Sequence, residues 1–151
     1  MPEIILDYKA SLPSNQTGGG PAFALLVTPG IQLADLGIFM VPPVPAENRV
    51  ELKGTVGIQV LSGTPVVRFR ITRLEDGVGP EVEIFNKQFT PEPAPAEAFY
   101  TASFHTIDIN VAAASGFIVY RLMGEILPAP AGSVNVVGPI SLTGIAIGNI
   151  D

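Results

Sequence analysis

The sequence predicts an all-β fold, an antiparallel β-sandwich or jelly roll that carries an N-terminal extension. Apolar and polar residues alternate with a period of two in several short segments, which is typical of half-buried strands. Between these segments the 16 Gly and 15 Pro residues recur as turn signals. We expect an N-terminal connector arm and glycine hinge over residues 1–20 and one jelly-roll domain over residues 21–151.

The composition limits the classes of function. Charged residues make up 15% of the chain and hydrophobic residues 47%, whereas an ordinary domain has ~25% charged residues. So few charges predict that other subunits cover part of the apolar surface. The net charge of -6 argues against binding to nucleic acid or to an anionic membrane surface. The absence of Cys excludes a disulfide framework and a zinc–thiolate site.

Neither a secretion signal nor a membrane-spanning helix is expected. The first residues lack a basic segment followed by a long apolar run. Residues 23–44 are apolar, but Pro, Gly and Asp interrupt them, and a spanning helix needs about 20 mostly apolar residues.

The first segment, residues 2–12, contains an apolar triplet, and a polar linker with three consecutive glycines follows it. One interpretation is a frayed end or an ordinary edge strand. The other is a connector arm that docks on a neighbouring subunit, by adding a strand or by filling an apolar groove. The contact residues of that connector are Ile4, Ile5, Leu6, Tyr8 and Leu12. Its hinge is Gly18, Gly19 and Gly20.

Residues 22–27 are interpreted as the first strand of the domain and residues 31–41 as two short strands. A proline-rich loop then leads to a hairpin over residues 50–74, where the alternation is clearest. The apolar parity of its first strand consists of Val50, Leu52, Val56, Ile58 and Val60. The apolar parity of its second strand consists of Val67, Phe69 and Ile71. Between them Arg68 and Arg70 face outward, where we expect them to pair with Glu51 or with acids of a neighbouring subunit.

The second half of the chain continues the strand pattern. Residues 81–89 alternate, and the proline-rich residues 90–97 predict an extended surface loop. In the strand over residues 99–111, Ile107 and Ile109 are expected to face the core. Residues 117–126 are apolar on both parities, which predicts cover on both sides. The last strands occupy residues 134–137 and 139–147, with a bulge or bend at Gly144 where the apolar parity changes.

No constellation of residues indicates catalysis. The single histidine, His105, shares the parity of Ile107 and Ile109, so we expect it in the core or at a subunit interface. A triad of His105 with Asp108 and a nearby Ser has only closeness in sequence to support it. The acidic pairs at 75–76 and 81–83 are interpreted as surface charges, with a calcium site as the alternative. We therefore expect no enzyme activity, no cofactor and no bound metal.

A resemblance to a known family is carried by the phrases FHTIDINVA, GFIVYRLMGEI and PISLTGIAIG, together with the hairpin. They resemble the tumour-necrosis-factor-like and complement-type jelly rolls of bacterial spore surfaces, which include heads of exosporium glycoproteins and endospore appendage subunits. The resemblance covers residues 50–147. It implies a homotrimer around a threefold axis, with Tyr120, Leu122, Ile145 and Ile147 at the trimer interface.

Two features modify this resemblance. The chain has no collagen-like Gly-X-Y stem, and its short N-terminal segment on a glycine hinge is similar to the connector of an appendage subunit. Some appendage subunits link through Cys, whereas this chain has none, so any linkage is expected to be non-covalent.

The predicted function is therefore a structural subunit of a bacterial surface fibre or spore appendage, outside the cell. Its expected partner is itself, as trimers stacked through the N-terminal arm, with other spore-surface proteins as further partners. One alternative is a discrete trimeric head that recognises a glycan or a protein through its loops. Another is a structural jelly roll of a phage or virus.

Overall fold

The computed structural model describes residues 2–14, 16–18, 22–91 and 98–149. These residues form nine β-strands. The strands are β1 (Glu3–Ser14), β2 (Phe23–Ala24), β3 (Ile31–Phe39), β4 (Asn48–Gly63), β5 (Val67–Glu75), β6 (Val82–Phe89), β7 (Ala98–Ile109), β8 (Phe117–Ile126) and β9 (Gly132–Asn149). Within the described residues there is no helix long and apolar enough to cross a membrane.

The strands form two antiparallel sheets that face each other. Sheet A has the order β1-β9-β4-β7, and the short β2 also pairs with β9. Sheet B has the order β3-β8-β5-β6. From β3 onward the chain crosses repeatedly between the sheets, so that most neighbouring strands are distant in sequence; β5 and β6 of sheet B are the consecutive pair among the described strands. This strand order is that of a jelly roll, and it confirms the predicted fold class.

The predicted hairpin over residues 50–74 is wrong, because β4 lies in sheet A and β5 in sheet B, so that residues 64–66 cross from one sheet to the other. The inward residues of the two strands are as predicted, and they meet in the core between the sheets. Val50, Leu52 and Ile58 of β4 are fully buried, as are Phe69 and Ile71 of β5. Each such side chain contributes roughly 1.5–3 kcal/mol on burial. The sequence therefore predicts the two central strands correctly.

Two expectations about strand boundaries are wrong. Residues 31–39 form one continuous strand, β3, and the two predicted terminal strands form one long strand, β9. No register shift occurs at Gly144, which pairs regularly with Leu52 on one side and with Lys9 on the other. Gly144 points into the core instead, where a Cβ would lie 3.1 Å from Leu52. The glycine thus makes room for a neighbouring side chain rather than a bend.

The inward parity of β7 is also opposite to the prediction. Ile107 and Ile109 are 49% and 66% exposed on the outer face of sheet A, and His105 is exposed beside them. The inward positions are taken by Phe104 and by Asp108. Asp108 faces inward because side chains of sheet B bind its carboxylate there. The inward-facing side of β7 therefore contains a charged residue at a position where the alternation predicts an apolar one.

The N-terminal segment forms β1, the edge strand of sheet A. It pairs antiparallel with β9 of the same chain from Glu3 opposite Asn149 to Ser14 opposite Ile140. In this single chain the segment is therefore the edge strand of the first interpretation. Beyond β1 the backbone N–H of Gly18 donates to the carbonyl of Val137 at 2.8 Å. The other two predicted hinge residues, Gly19 and Gly20, lie outside the described residues.

Candidate functional site

The candidate site is the outer face of sheet A, defined by three rows of residues that lie opposite one another across β1, β9, β4 and β7. The first row is Ile5, Ile147, Arg49 and Ile109. The second row is Tyr8, Ile145, Glu51 and Ile107. The third row is Ala10, Thr143, Lys53 and His105. Paired strands direct opposite residues to the same side of a sheet, so these rows form one continuous surface.

In its first two rows, this face is apolar on three of its four strands, β1, β9 and β7. Ile5 is 69% exposed, Tyr8 55% and Ile109 66%. The two isoleucines of β9 between them are half-buried by their neighbours. Large apolar side chains are seldom grouped on a monomer surface without a contact to make. The arrangement suits a protein–protein interface in which the isoleucines and Tyr8 are covered.

The charges of the face belong to β4, apart from Glu3 of β1, and are largely paired within the chain. Arg49 donates to both carboxylate oxygens of Glu3, at 2.6 and 3.1 Å, and to Glu51 at 3.0 Å. The hydrogen bonds to Glu3 and then to Glu51 raise the pKa of Arg49, and the same bond with Arg49 lowers the pKa of Glu3. Together with Lys53, two positive and two negative charges balance, so the face carries little net charge for a partner to neutralise.

The predicted connector residues lie on both sides of β1. Ile5 and Tyr8 point to the outer face of sheet A, as their register with β9 requires. Ile4 and Leu12 are 40% and 61% exposed, whereas Leu6 is half-buried against the core. The structure thus brings two of the five residues together with the isoleucines of β9 and β7.

The predicted trimer-interface residues divide into two pairs. Ile145 and Ile147 lie on the outer face of sheet A, beside Tyr8 and Ile5. Tyr120 and Leu122 are fully buried between the two sheets of one chain. Their expected place at a subunit interface is wrong, because a side chain with no exposed surface has nothing left to bury against a partner. On β8 the inward residues are buried, whereas Phe117, Val119 and Met123 on the other side of the strand keep part of their surface exposed, so the chain itself covers only one side completely.

An inter-sheet polar network was missed by the sequence interpretation. Arg73 of β5 donates to both oxygens of Asp108 of β7, at 2.7 and 2.9 Å. The hydroxyl of Tyr120 donates to the same carboxylate at 2.9 Å. Burial, followed by the charge of Asp108, raises the pKa of Tyr120 and keeps its hydroxyl protonated. The sequence does contain a signal for this network. Arg73 occupies the same set of alternate positions on β5 as Phe69 and Ile71, which face the core.

A second buried carboxylate explains the outward arginines of β5. Glu125 is fully buried, and its Oε1 lies 2.7 Å from Nε of Arg68 and 2.8 Å from Nε of Arg70. The expected pairing of these arginines with Glu51 is wrong, since Glu51 lies on the other sheet. Burial raises the pKa of Glu125, but the hydrogen bond from Arg68 and the arginine charges outweigh burial, so the pKa is lowered overall.

The remaining acidic residues have local partners. Asp76 accepts from the backbone N–H of Ser115 at 2.8 Å and from its hydroxyl, and these bonds lower the pKa of Asp76. Among the residues that the structure describes, no three His, Cys, Asp or Glu side chains are grouped as a metal site requires. His105 and Asp108 point to opposite faces of β7, so they cannot form the hydrogen bond of a catalytic triad.

A cleft of about 780 Å³ lies at one end of the sandwich, between three loops. Its lining combines the proline-rich β3–β4 loop with Glu75 at the end of β5, with Asp76 of the β5–β6 loop and with residues of the β7–β8 loop. The head-domain alternative predicts that a ligand binds at loops of this kind.

A search of solved structures finds a similarity to Eiger TNF from S. frugiperda. The TM-score is 0.43 and the sequence identity 11%, over 85% of this chain and 69% of that chain. No protein-family model matches the chain, and no curated protein matches it. The assignment to the jelly-roll class accordingly stands on the strand order of the chain itself.

Proposed function

We propose that this protein is a structural subunit that associates through the outer face of sheet A into a homotrimer. The trimers stack non-covalently, through β1, into a fibre or appendage on a bacterial cell or spore surface. The role is mechanical, with no enzymatic step and no cofactor. The spore-surface setting rests on the resemblance of the sequence phrases described above.

The observation that carries the proposal is the run of isoleucines across β1, β9 and β7. Ile5, Ile147 and Ile109 form one row, and Ile145 and Ile107 belong to the next row. Contact between copies of the chain would remove this apolar area from water at about 25 cal/mol per Å². The internally paired charges of β4 make a second copy of the same neutral surface a suitable partner.

The test is to place a charge in the middle of the face without disturbing the single chain. Ile107 lies opposite Glu51, so Ile107→Lys gains a favourable cross-strand pair in the monomer but buries that charge in the assembly. We expect the wild type to have a mass of at least about 47 kDa by light scattering, three times the 15.8 kDa of one chain, and a larger mass where trimers have stacked. We expect Ile107→Lys to have a mass of one chain.

The matched control is Val82→Lys on β6. Val82 is 42% exposed, close to the 49% of Ile107, but it lies in sheet B. This variant should keep the mass of the wild type. A wild-type chain that stays monomeric over a wide concentration range would contradict the trimer, and so would an assembled Ile107→Lys variant.

A second candidate function is a trimeric head that recognises a glycan or a protein, and the loop cleft favours it. Glycan-array binding that is lost on replacing Glu75 and Asp76, with the trimer intact, would support this role. Fibres seen by negative-stain microscopy, without binding to any glycan, would favour the structural role instead.

A further inference from the structure

We propose that β1 is exchanged between copies of the chain. The β1 strand of one subunit pairs with β9 of a second subunit, in the register that it adopts with β9 of its own chain. The inference rests on the proposed function and names the segment and the acceptor strand that connect its subunits.

The first argument is that β1 can leave its own chain without opening the core. No residue of Glu3–Ser14 belongs to the buried hydrophobic core. Ile5, Tyr8 and Leu12 are each more than half exposed, and Leu6 alone packs against the core as a partly buried apolar residue. The strand is therefore held mainly by backbone hydrogen bonds to β9, which any copy of β9 offers equally.

The second argument is that the contacts between side chains of β1 and the two sheets are specific and lie on the receiving body. Oδ2 of Asp7 accepts from the backbone N–H of Phe39 on the edge of sheet B at 2.7 Å. Glu3 binds Arg49 of β4. Leu6 lies over Gly148 of β9, where a Cβ would come within 2.8 Å of its Cδ1. Every copy presents the same acceptors, so a β1 from another copy can make the same contacts.

The third argument is the length of chain between β1 and the domain. Ser14 lies opposite Ile140, and Phe23 lies opposite Val136. Four residues along β9 separate these positions, about 13 Å at ~3.3 Å per residue. Residues 15–22 can span roughly 26–29 Å when extended, at ~3.3–3.6 Å per residue. The connection is about twice as long as the gap that it bridges in the closed chain, and the surplus allows β1 to reach another copy.

Exchange also fits the position of β1 at the edge of the assembly surface. Ile5 and Tyr8 are the β1 members of the first and second rows of the outer face of sheet A. An exchanged strand would therefore complete this face on the subunit that receives it. If each subunit donates its strand to the next one without closing a ring, the result is an open chain of subunits.

The absence of Cys from the chain permits a direct test by disulfide trapping. Ala10 and Thr143 lie directly opposite each other on β1 and β9, outside the two rows of isoleucines that carry the proposed interface, and they are within reach of a disulfide. The variant Ala10→Cys/Thr143→Cys is assembled under reducing conditions, checked for fibres or trimers by microscopy and light scattering, and then oxidised. Non-reducing denaturing gels show which chains are joined.

If β1 is exchanged, the gel should show bands at two, three and higher multiples of 15.8 kDa. Exchange within a closed ring of three chains gives no band larger than the trimer, whereas exchange along an open fibre gives a ladder of larger bands. The control Ala10→Cys/Val82→Cys should give no such bands, since Val82 lies on β6 of sheet B.

Assembled particles that contain only single chains with an internal disulfide would overturn the exchange and leave the proposed function in place. A protein that never assembles before oxidation would overturn both proposals. The two failures are distinguished because assembly is measured before the disulfide is formed.

Discussion

At the residue scale, the interior of the sandwich is not purely apolar. Asp108, 8% exposed, lies between the sheets with Arg73, whose side chain is 17% exposed, and with the hydroxyl of Tyr120. A buried ion pair is costly to desolvate, but breaking it by removing one partner is costlier still. The network fixes β5 of one sheet against β7 of the other at a defined position.

The substitution Asp108→Asn should destabilise the protein by about 1–3 kcal/mol, because it removes the buried carboxylate that binds Arg73 and leaves the partly exposed Glu75, 3.3 Å away, as the remaining counter-charge. Tyr120→Phe, which removes one hydrogen bond to the carboxylate, should cost about 1–3 kcal/mol. Asp35→Asn on the exposed side of β3 is the matched control and should stay within about 0.5 kcal/mol. Urea unfolding measures all three, and equal effects at positions 108 and 35 would contradict the network.

Glu125 makes stability depend on pH. Its pKa in the folded protein is lowered, so its stabilising contribution is complete above the unfolded pKa of about 4.3 and is lost as the pH falls through the folded pKa. The pKa values of Glu3 and Asp76 are also lowered, so these two carboxylates change the stability in the same direction. The free energy of unfolding should therefore decrease as the pH is lowered from about 5 towards 3.

The variant Glu125→Gln isolates the contribution of this carboxylate. It should be less stable than the wild type near pH 7, and the difference should shrink as the pH falls below about 4.3. Denaturant unfolding at a series of pH values measures it. A difference that is constant with pH would show that the charge of Glu125 is not what stabilises the arrangement.

At the element scale, burial in sheet A depends on which parity faces sheet B, and periodicity alone does not fix that choice. For β4 the outward residues are charged, so the choice follows from the sequence. For β7 both parities contain apolar residues, and the orientation is fixed by pairing with β4 and by the binding of Asp108. A strand whose apolar parity faces outward marks the surface at which a second chain is expected.

The pairing of β4 with β9 depends on a glycine at its register shift. The shift lies between Val56 and Ile58, and a Cβ on Gly57 would collide with the carbonyl oxygen of Gly138. Gly57→Ala should therefore destabilise the protein by more than about 2 kcal/mol. Thr55→Ala, two residues away on the same strand, is the control and should have a much smaller effect. Thermal unfolding compares the two, and equal losses would contradict the close approach.

At the scale of the whole molecule, the sandwich closes without β1, since that strand supplies no core residue. Deleting residues 1–17 should leave a cooperatively unfolding β-protein and abolish fibres. Far-UV circular dichroism and negative-stain microscopy measure the two properties. The control replaces the same residues with a Gly/Ser segment of equal length. Fibres that survive the deletion would contradict a connecting role for β1.

The sequence by itself determined the all-β class and the inward residues of β4 and β5, because alternation along a strand is a local property. Ile5 and Tyr8 were predicted as contact residues from the apolar segment beside the glycine hinge, and Ile145 and Ile147 from the family resemblance; the structure places these four side chains on one face of sheet A. Only the tertiary structure decided that Tyr120 and Leu122 are core, that Ile107 and Ile109 face outward, and that Glu125 and Asp108 bind the arginines. Those outcomes depend on which strands become neighbours, and the pairing of residues distant in sequence is fixed by long-range contacts that no local pattern records.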